Sequence, residues 1–155
     1  MAISRYAAVT DAIISTLSAL QSTTLANVEI VDGPPLIDQF PPDAIYVGWN
    51  GGIDDDSAGN ITQSYHDTSP VATRDERVEV YCIFQSARGD DEMAEARTRV
   101  VDMLGAAETA LRANVGLGLT DLLRVEVSDG AVRQVRNADG IGVEIAVTIT
   151  ATSLI

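Results

Sequence analysis

Three consecutive acids, Asp54-Asp55-Asp56, precede the chain's only histidine, His66, which is followed by Asp67. These are ligand-type and base-type side chains, so cation binding and acid–base chemistry are tested first. A helix–loop–helix calcium loop starting at Asp54 would place acids at Asp54 and Asp56 and a glycine at Gly59, its sixth position. Its fifth position is Ala58 and its twelfth, where a bidentate glutamate belongs, is Tyr65. The run therefore reads as a solvated acidic segment, and no metal site is assigned. His66 with Asp67 could serve a serine nucleophile, but no G-x-S-x-G elbow accompanies them. Cys82 alternates with Val78, Val80 and Phe84, which marks it as a buried small hydrophobe. Gly116-Leu117-Gly118 lacks the third glycine of a dinucleotide loop, since Asp121 stands there, and it ends a helix where a phosphate cradle would open one. No catalytic residue, cofactor site or metal site is assigned.

Composition narrows the field further. The 155 residues include 10 basic and 23 acidic side chains, for a formal net charge of −13. Every basic residue is arginine, so lysine-dependent chemistry, a Schiff base or a Walker-A lysine, is excluded. The acidity opposes binding of nucleic acid through a basic face and opposes an anionic membrane as partner. One cysteine allows no internal disulfide. Neither a leader-type N-terminus nor a run of about 18 apolar residues is present, so synthesis in the cytoplasm is expected.

These side chains must be held by elements that hydrophobic spacing predicts. Ile3, Tyr6, Ala7, Ile13, Ile14, Leu17 and Leu20 form the stripe of an amphipathic helix. Asn27 to Asp32 and Asp43 to Trp49 read as strands separated by Asp32-Gly33-Pro34-Pro35 and Pro41-Pro42. Asn50 to Thr73 reads as a long acidic loop or mobile hairpin. Arg74 to Ala87 is a long strand with Arg77, Glu79, Tyr81 and Ile83 on the face opposite Cys82. A second helix is expected from Asp90 to Asn114, with an apolar stripe of Met93, Ala96, Val100, Leu104, Ala107 and Leu111. Glu95–Arg99 and Glu108–Arg112 are spaced as i,i+4 ion pairs on it. After it, Leu123 to Ser128, a hairpin at Asp129-Gly130, Ala131 to Arg136, a turn at Asn137–Gly140 and an alternating strand from Ile141 complete the order α-β-β-(loop)-β-α-β-β-β. The expectation is one α+β domain over residues 1–155, a mostly antiparallel β-sheet with two amphipathic helices packed on it.

Taken in order, several stretches resemble the tail terminator (tail completion) proteins of long-tailed bacteriophages. They are the helix ending Ile13-Ile14-Ser-Thr-Leu17, the strand into Asp32-Gly33-Pro34-Pro35, and Asp43-Ala-Ile-Tyr-Val-Gly48. Glu79-Val-Tyr-Cys82, the helix from Ala96 to Arg112 and the alternating C-terminal strand follow. The resemblance implies a structural virion protein without enzymatic activity or cofactor. It implies a homo-hexameric ring that caps the tail tube, stops its polymerisation and meets the head-completion proteins of the neck. DNA would pass through the channel without specific binding. Asp54, Asp55, Asp56, His66, Arg74 and Arg77 are the residues expected at the interface or lumen. The competing readings are another neck or tail protein (head closure or tube subunit), a small acidic metal-dependent enzyme using Asp54, Asp56 and His66, and a binding module whose acidic face meets a basic partner.

Overall fold

A computed structural model describes residues 4–36, 41–52, 57–65, 73–89, 92–138 and 140–155. Among them, helix α1 (Tyr6–Ser18) runs into a short 3₁₀ turn (Ala19–Ser22). Strands β1 (Glu29–Asp32), β2 (Asp43–Val47), β3 (Gly59–Tyr65) and β4 (Arg74–Arg88) follow. Helix α2 (Met93–Ala113) and the strands β5 (Leu122–Asn137) and β6 (Gly140–Leu154) close the order. The fold is α+β, with two helices on a mixed sheet ordered β1-β2-β4-β6-β5. Every ladder is antiparallel except β1–β2.

The sheet is built on one pairing. β4 and β6 oppose each other without a break from Asp75↔Leu154 to Arg88↔Ile141. Both strands alternate, so their apolar sets fall on one face: Val78, Val80, Cys82 and Phe84 from β4, and Val143, Ile145, Val147 and Ile149 from β6. Both helices cover this face. Val9, Ile13 and Leu17 of α1, and Ala96, Val100, Met103, Ala107 and Leu111 of α2, join the same core cluster. Burying each such Val, Ile or Leu contributes about 1.5–3 kcal/mol. The opposite face is polar along β5 and β6 but carries a small apolar cluster of Ala44, Tyr46 and Ile83, flanked by Trp49, whose ring meets Tyr46 edge-on at 5.3 Å.

Several expected boundaries move, each for a physical reason. The stretch Asn50 to Thr73 takes the hairpin alternative: Gly59–Tyr65 pairs with β4 from Gly59↔Val80 to Tyr65↔Arg74. It carries few large apolar residues because one edge and most of its surface face solvent. Asp129-Gly130 does not turn the chain. It lies at a register shift between Ser128 and Gly130 within one 16-residue strand, which keeps pairing with β6 on both sides of the irregularity. The three expected C-terminal strands are therefore two. In α1, Val9 is buried and Ala7 is exposed, so the buried stripe runs Val9-Ile13-Leu17. In α2, Met103 is buried while Leu104 is only half-buried. Ile3 lies outside the described residues.

Two glycines are required by space. A Cβ at Gly59 would overlap the carbonyl oxygen of Glu79 and stand 2.7 Å from the Tyr6 ring, where β3, β4 and α1 meet. Gly140 opens β6 at φ +134°, and a Cβ there would overlap the carbonyl oxygen of Arg88. Gly59→Ala and Gly140→Ala are each expected to cost about 2 kcal/mol or more, read as a lowered midpoint in urea unfolding. Gly89→Ala, where a Cβ meets open space, is the control and should stay within about 0.5 kcal/mol.

Candidate functional site

The polar side chains gather at the two ends of the sheet. At one end β2 begins after Pro41-Pro42 with Asp43, only 8% exposed. A carboxylate so deeply placed must be paired. Ser86 Oγ donates to its Oδ1 at 2.7 Å, and Arg99 Nε of α2 donates to its Oδ2 at 3.1 Å. The same guanidinium reaches the carbonyl of Ala26 at 3.1 Å, and Arg88 stands 4.0 Å from Asp43. Arg99 is thus drawn to the sheet and away from the Glu95 partnership expected from i,i+4 spacing, because a buried carboxylate rewards a donor far more than a solvated one. The Glu108–Arg112 pair does form, at 2.6 Å.

At the other end Glu76 of β4 is fully buried. Its Oε1 accepts the backbone N–H of Arg5, at the N-terminal end of α1, at 2.6 Å. Its Oε2 accepts from Gln63 of β3 at 2.7 Å. The Arg5 guanidinium pairs with Asp121, just before β5. The alternation that placed Val78, Val80 and Cys82 on the core face places Glu76 there too, so this carboxylate was legible in the sequence as an acid in an apolar phase. Asp43 and its partners were not, because their sequence separations of 43 and 56 residues leave no local signal.

Of the residues expected at an interface or lumen, Asp54, Asp55, Asp56 and His66 lie outside the described residues. Arg74 and Arg77 sit on β4. Arg74 exchanges backbone hydrogen bonds with Ile155 (2.8 and 2.9 Å) and lays its guanidinium 5.7 Å from the Tyr65 ring centre. Arg77 lies on the face away from the helices and pairs with Glu79 at 3.1 Å. The structure keeps both near the β3–β4 hairpin and does not bring them to Asp43 or to Glu76's carboxylate contacts. Among the described residues no group of three or more His, Cys, Asp or Glu side chains could hold a metal ion. A hollow of about 650 Å³ lies between Pro42, Arg88, Val135 and Glu144, but its charged groups are engaged, Arg88 near Asp43 and Glu144 with Arg133. No described helix is long and apolar enough to cross a membrane.

Cys82 is 1% exposed, and burial pushes its thiol from 9.0 up to about 12. Burial is also the first cause of the raised hydroxyls of Tyr6 and Tyr46; the carboxylates of Glu29 and Glu144 add to it at Tyr46. All three groups hold their protons more tightly in the folded chain, so the unfolded chain releases them first.

No protein-family model matches the chain, and no curated protein matches it. Among solved structures, a chain from the virion of a native gene transfer agent particle is similar over 93% of this chain and 92% of its own, with a TM-score of 0.53 and 15% identity. The likeness is one of fold, and it runs nearly end to end in both chains.

Two outcomes are expected. Asp43→Ala, which strands Arg99 and Ser86, should cost about 2–3 kcal/mol in urea unfolding, whereas Arg112→Ala should cost under about 0.5 kcal/mol. The contribution of the Cys82 thiol to stability should be fully present below about pH 9 and be lost as pH rises toward 12, at about 1.4 kcal/mol per pH unit over that window. Cys82→Ala should flatten the first part of that decline, between about pH 9 and 10, where tyrosines in the unfolded chain are still less than half ionised.

Proposed function

We propose that the protein is a structural component of a phage-like virion, and that its particular role is the tail terminator. The observation that carries the reading is the shared fold, over more than nine-tenths of both chains, with a chain of a gene transfer agent virion. It coincides with the order of elements that resembles tail terminators. In this role the chain acts as one domain and works by surface complementarity, without bond chemistry. Copies form a ring, hexameric in the resembling family, that sits on the last ring of tube subunits and blocks further addition. Its other side receives the head-completion proteins. The described polar side chains support this, since the buried carboxylates of Asp43 and Glu76 are committed to holding helices on the sheet.

The acidity fits a channel that DNA traverses. Carboxylates facing a lumen repel phosphates and keep the passing duplex from adhering. The segment bearing Asp54 to Asp56 and His66, with Arg74 at the turn end of the β3–β4 ladder and Arg77 midway along it, is the proposed lumen or neighbour-facing element. The protein would then reside at the neck of the virion after synthesis in the host cytoplasm. Electron microscopy of particles assembled without this protein tests the role: tails of irregular and excessive length, lacking heads, are expected. Tails of normal length would exclude a terminator, and truncated or absent tube would identify a tube subunit instead.

A further inference from the structure

The sheet ends on two unlike edges. β5 is one outer strand and β1 the other, and among the described residues neither outer edge carries a further ladder. Residues 130–136 of β5 are all exposed, with Val132 at 61% and Val135 at 45%. This stretch, Gly-Ala-Val-Arg-Gln-Val-Arg, has no proline and no acid, and no described helix covers its valines. Natural proteins blunt long open edges, so a bare one with apolar side chains calls for a partner. β1 is the converse: Glu-Ile-Val-Asp, with Glu29 and Asp32 exposed and no base.

The registers put these two edges at the same height. Reading straight across the five strands, Glu29 opposes Ala44, then Gln85, then Glu144, then Arg133. The next row runs Ile30, Ile45, Phe84, Ile145, Val132. The row beginning at Val31 ends at Ala131, and the row beginning at Asp32 ends at Gly130. β1 ascends through these rows while β5 descends, so the two edges meet antiparallel if one copy follows another in the same rows.

We propose that β5 of one copy pairs antiparallel with β1 of the next, continuing one sheet from subunit to subunit with Arg133 opposite Glu29 and Val132 opposite Ile30. The occupant of each edge is a second copy of this chain. The contact is head-to-tail, the kind that generates rings when its rotation closes, and it rests on the ring reading proposed above. The first two rows are chemically matched: base to acid on the face away from the helices, valine to isoleucine on the helix face. Arg133 already pairs with Glu144 at 2.5 Å within its subunit, which fixes the guanidinium on the edge and places it between two carboxylates in the assembly.

The test uses the full chain, in which buried Cys82 leaves the thiol background silent. The double variant Glu29→Cys with Arg133→Cys, bridged by a short bifunctional thiol reagent, should give a covalent ladder of multimers that stops at one ring size. Either single variant should give no ladder. Arg133→Glu and Glu29→Arg should each weaken assembly about tenfold by light scattering across a concentration series, and combining them should restore it. Loss of the internal Glu144 pair would produce no such rescue. Wild-type rings with no ladder from the double cysteine variant would overturn the edge pairing and leave the ring reading intact. Cross-linked dimers from Arg133→Cys alone would overturn it in favour of β5–β5 pairing. A wild type that stays monomeric at its highest soluble concentration, with no ladder from the double variant, would overturn both.

Discussion

The continuous β4–β6 ladder is the constraint from which the remaining structure follows. Fourteen consecutive opposed pairs, Asp75–Arg88 against Ile141–Leu154, hold two alternating strands in one phase. A slip of one residue would carry Val78, Val80, Cys82 and Phe84 to the wrong face, so the register is fixed by burial as much as by hydrogen bonds. With that face apolar, both helices must lie on it. With β4 far longer than β2 or β3, these two divide its other edge, one at each half, and Gly59 takes the crowded place beside Tyr6. With β6 equally long, β5 follows it through an irregularity instead of turning back.

Charge is used sparingly inside this frame, and always to fasten a helix. Asp43 receives Arg99 from α2, and Glu76 receives the backbone N–H of Arg5 at the start of α1. A buried carboxylate without donors would carry a large desolvation cost, so each of these acids is stable only when its helix is in place. The two acids sit at opposite ends of the sheet. The helices are therefore pinned at separate points as well as packed, which limits their sliding over an otherwise non-directional apolar surface.

That arrangement leaves the edges of the sheet as the surfaces open to a partner. The helix-covered face is occupied by core. The open edge of β5 and the short acidic edge of β1 differ in charge and agree in height, as the proposed head-to-tail pairing requires. The fold shared with a virion chain at 15% identity shows how wide a change in the filling residues one shape tolerates.

The sequence by itself determined what depends on near neighbours. Alternation marked β4 and β6 and the two faces of β4; helical spacing marked α1 and α2; and Cys82 was legible as core from its phase with Val80 and Phe84. Composition excluded lysine chemistry outright. The tertiary structure alone decided what depends on distant partners. Asp129-Gly130 has the local chemistry of a tight turn, yet β6 offers ladder partners on both sides, and the long-range hydrogen bonds prevail over the local preference. Arg99 has an acid one helical turn away and goes instead to Asp43, since a desolvated carboxylate binds a guanidinium more strongly than a solvated one does. Gly59–Tyr65 lacks the apolar alternation of a buried strand, yet pairs as an exposed strand because β4 leaves half an edge open beside it. The level of β1 with β5 is set by four separate pairings at once, which no stretch of the sequence contains.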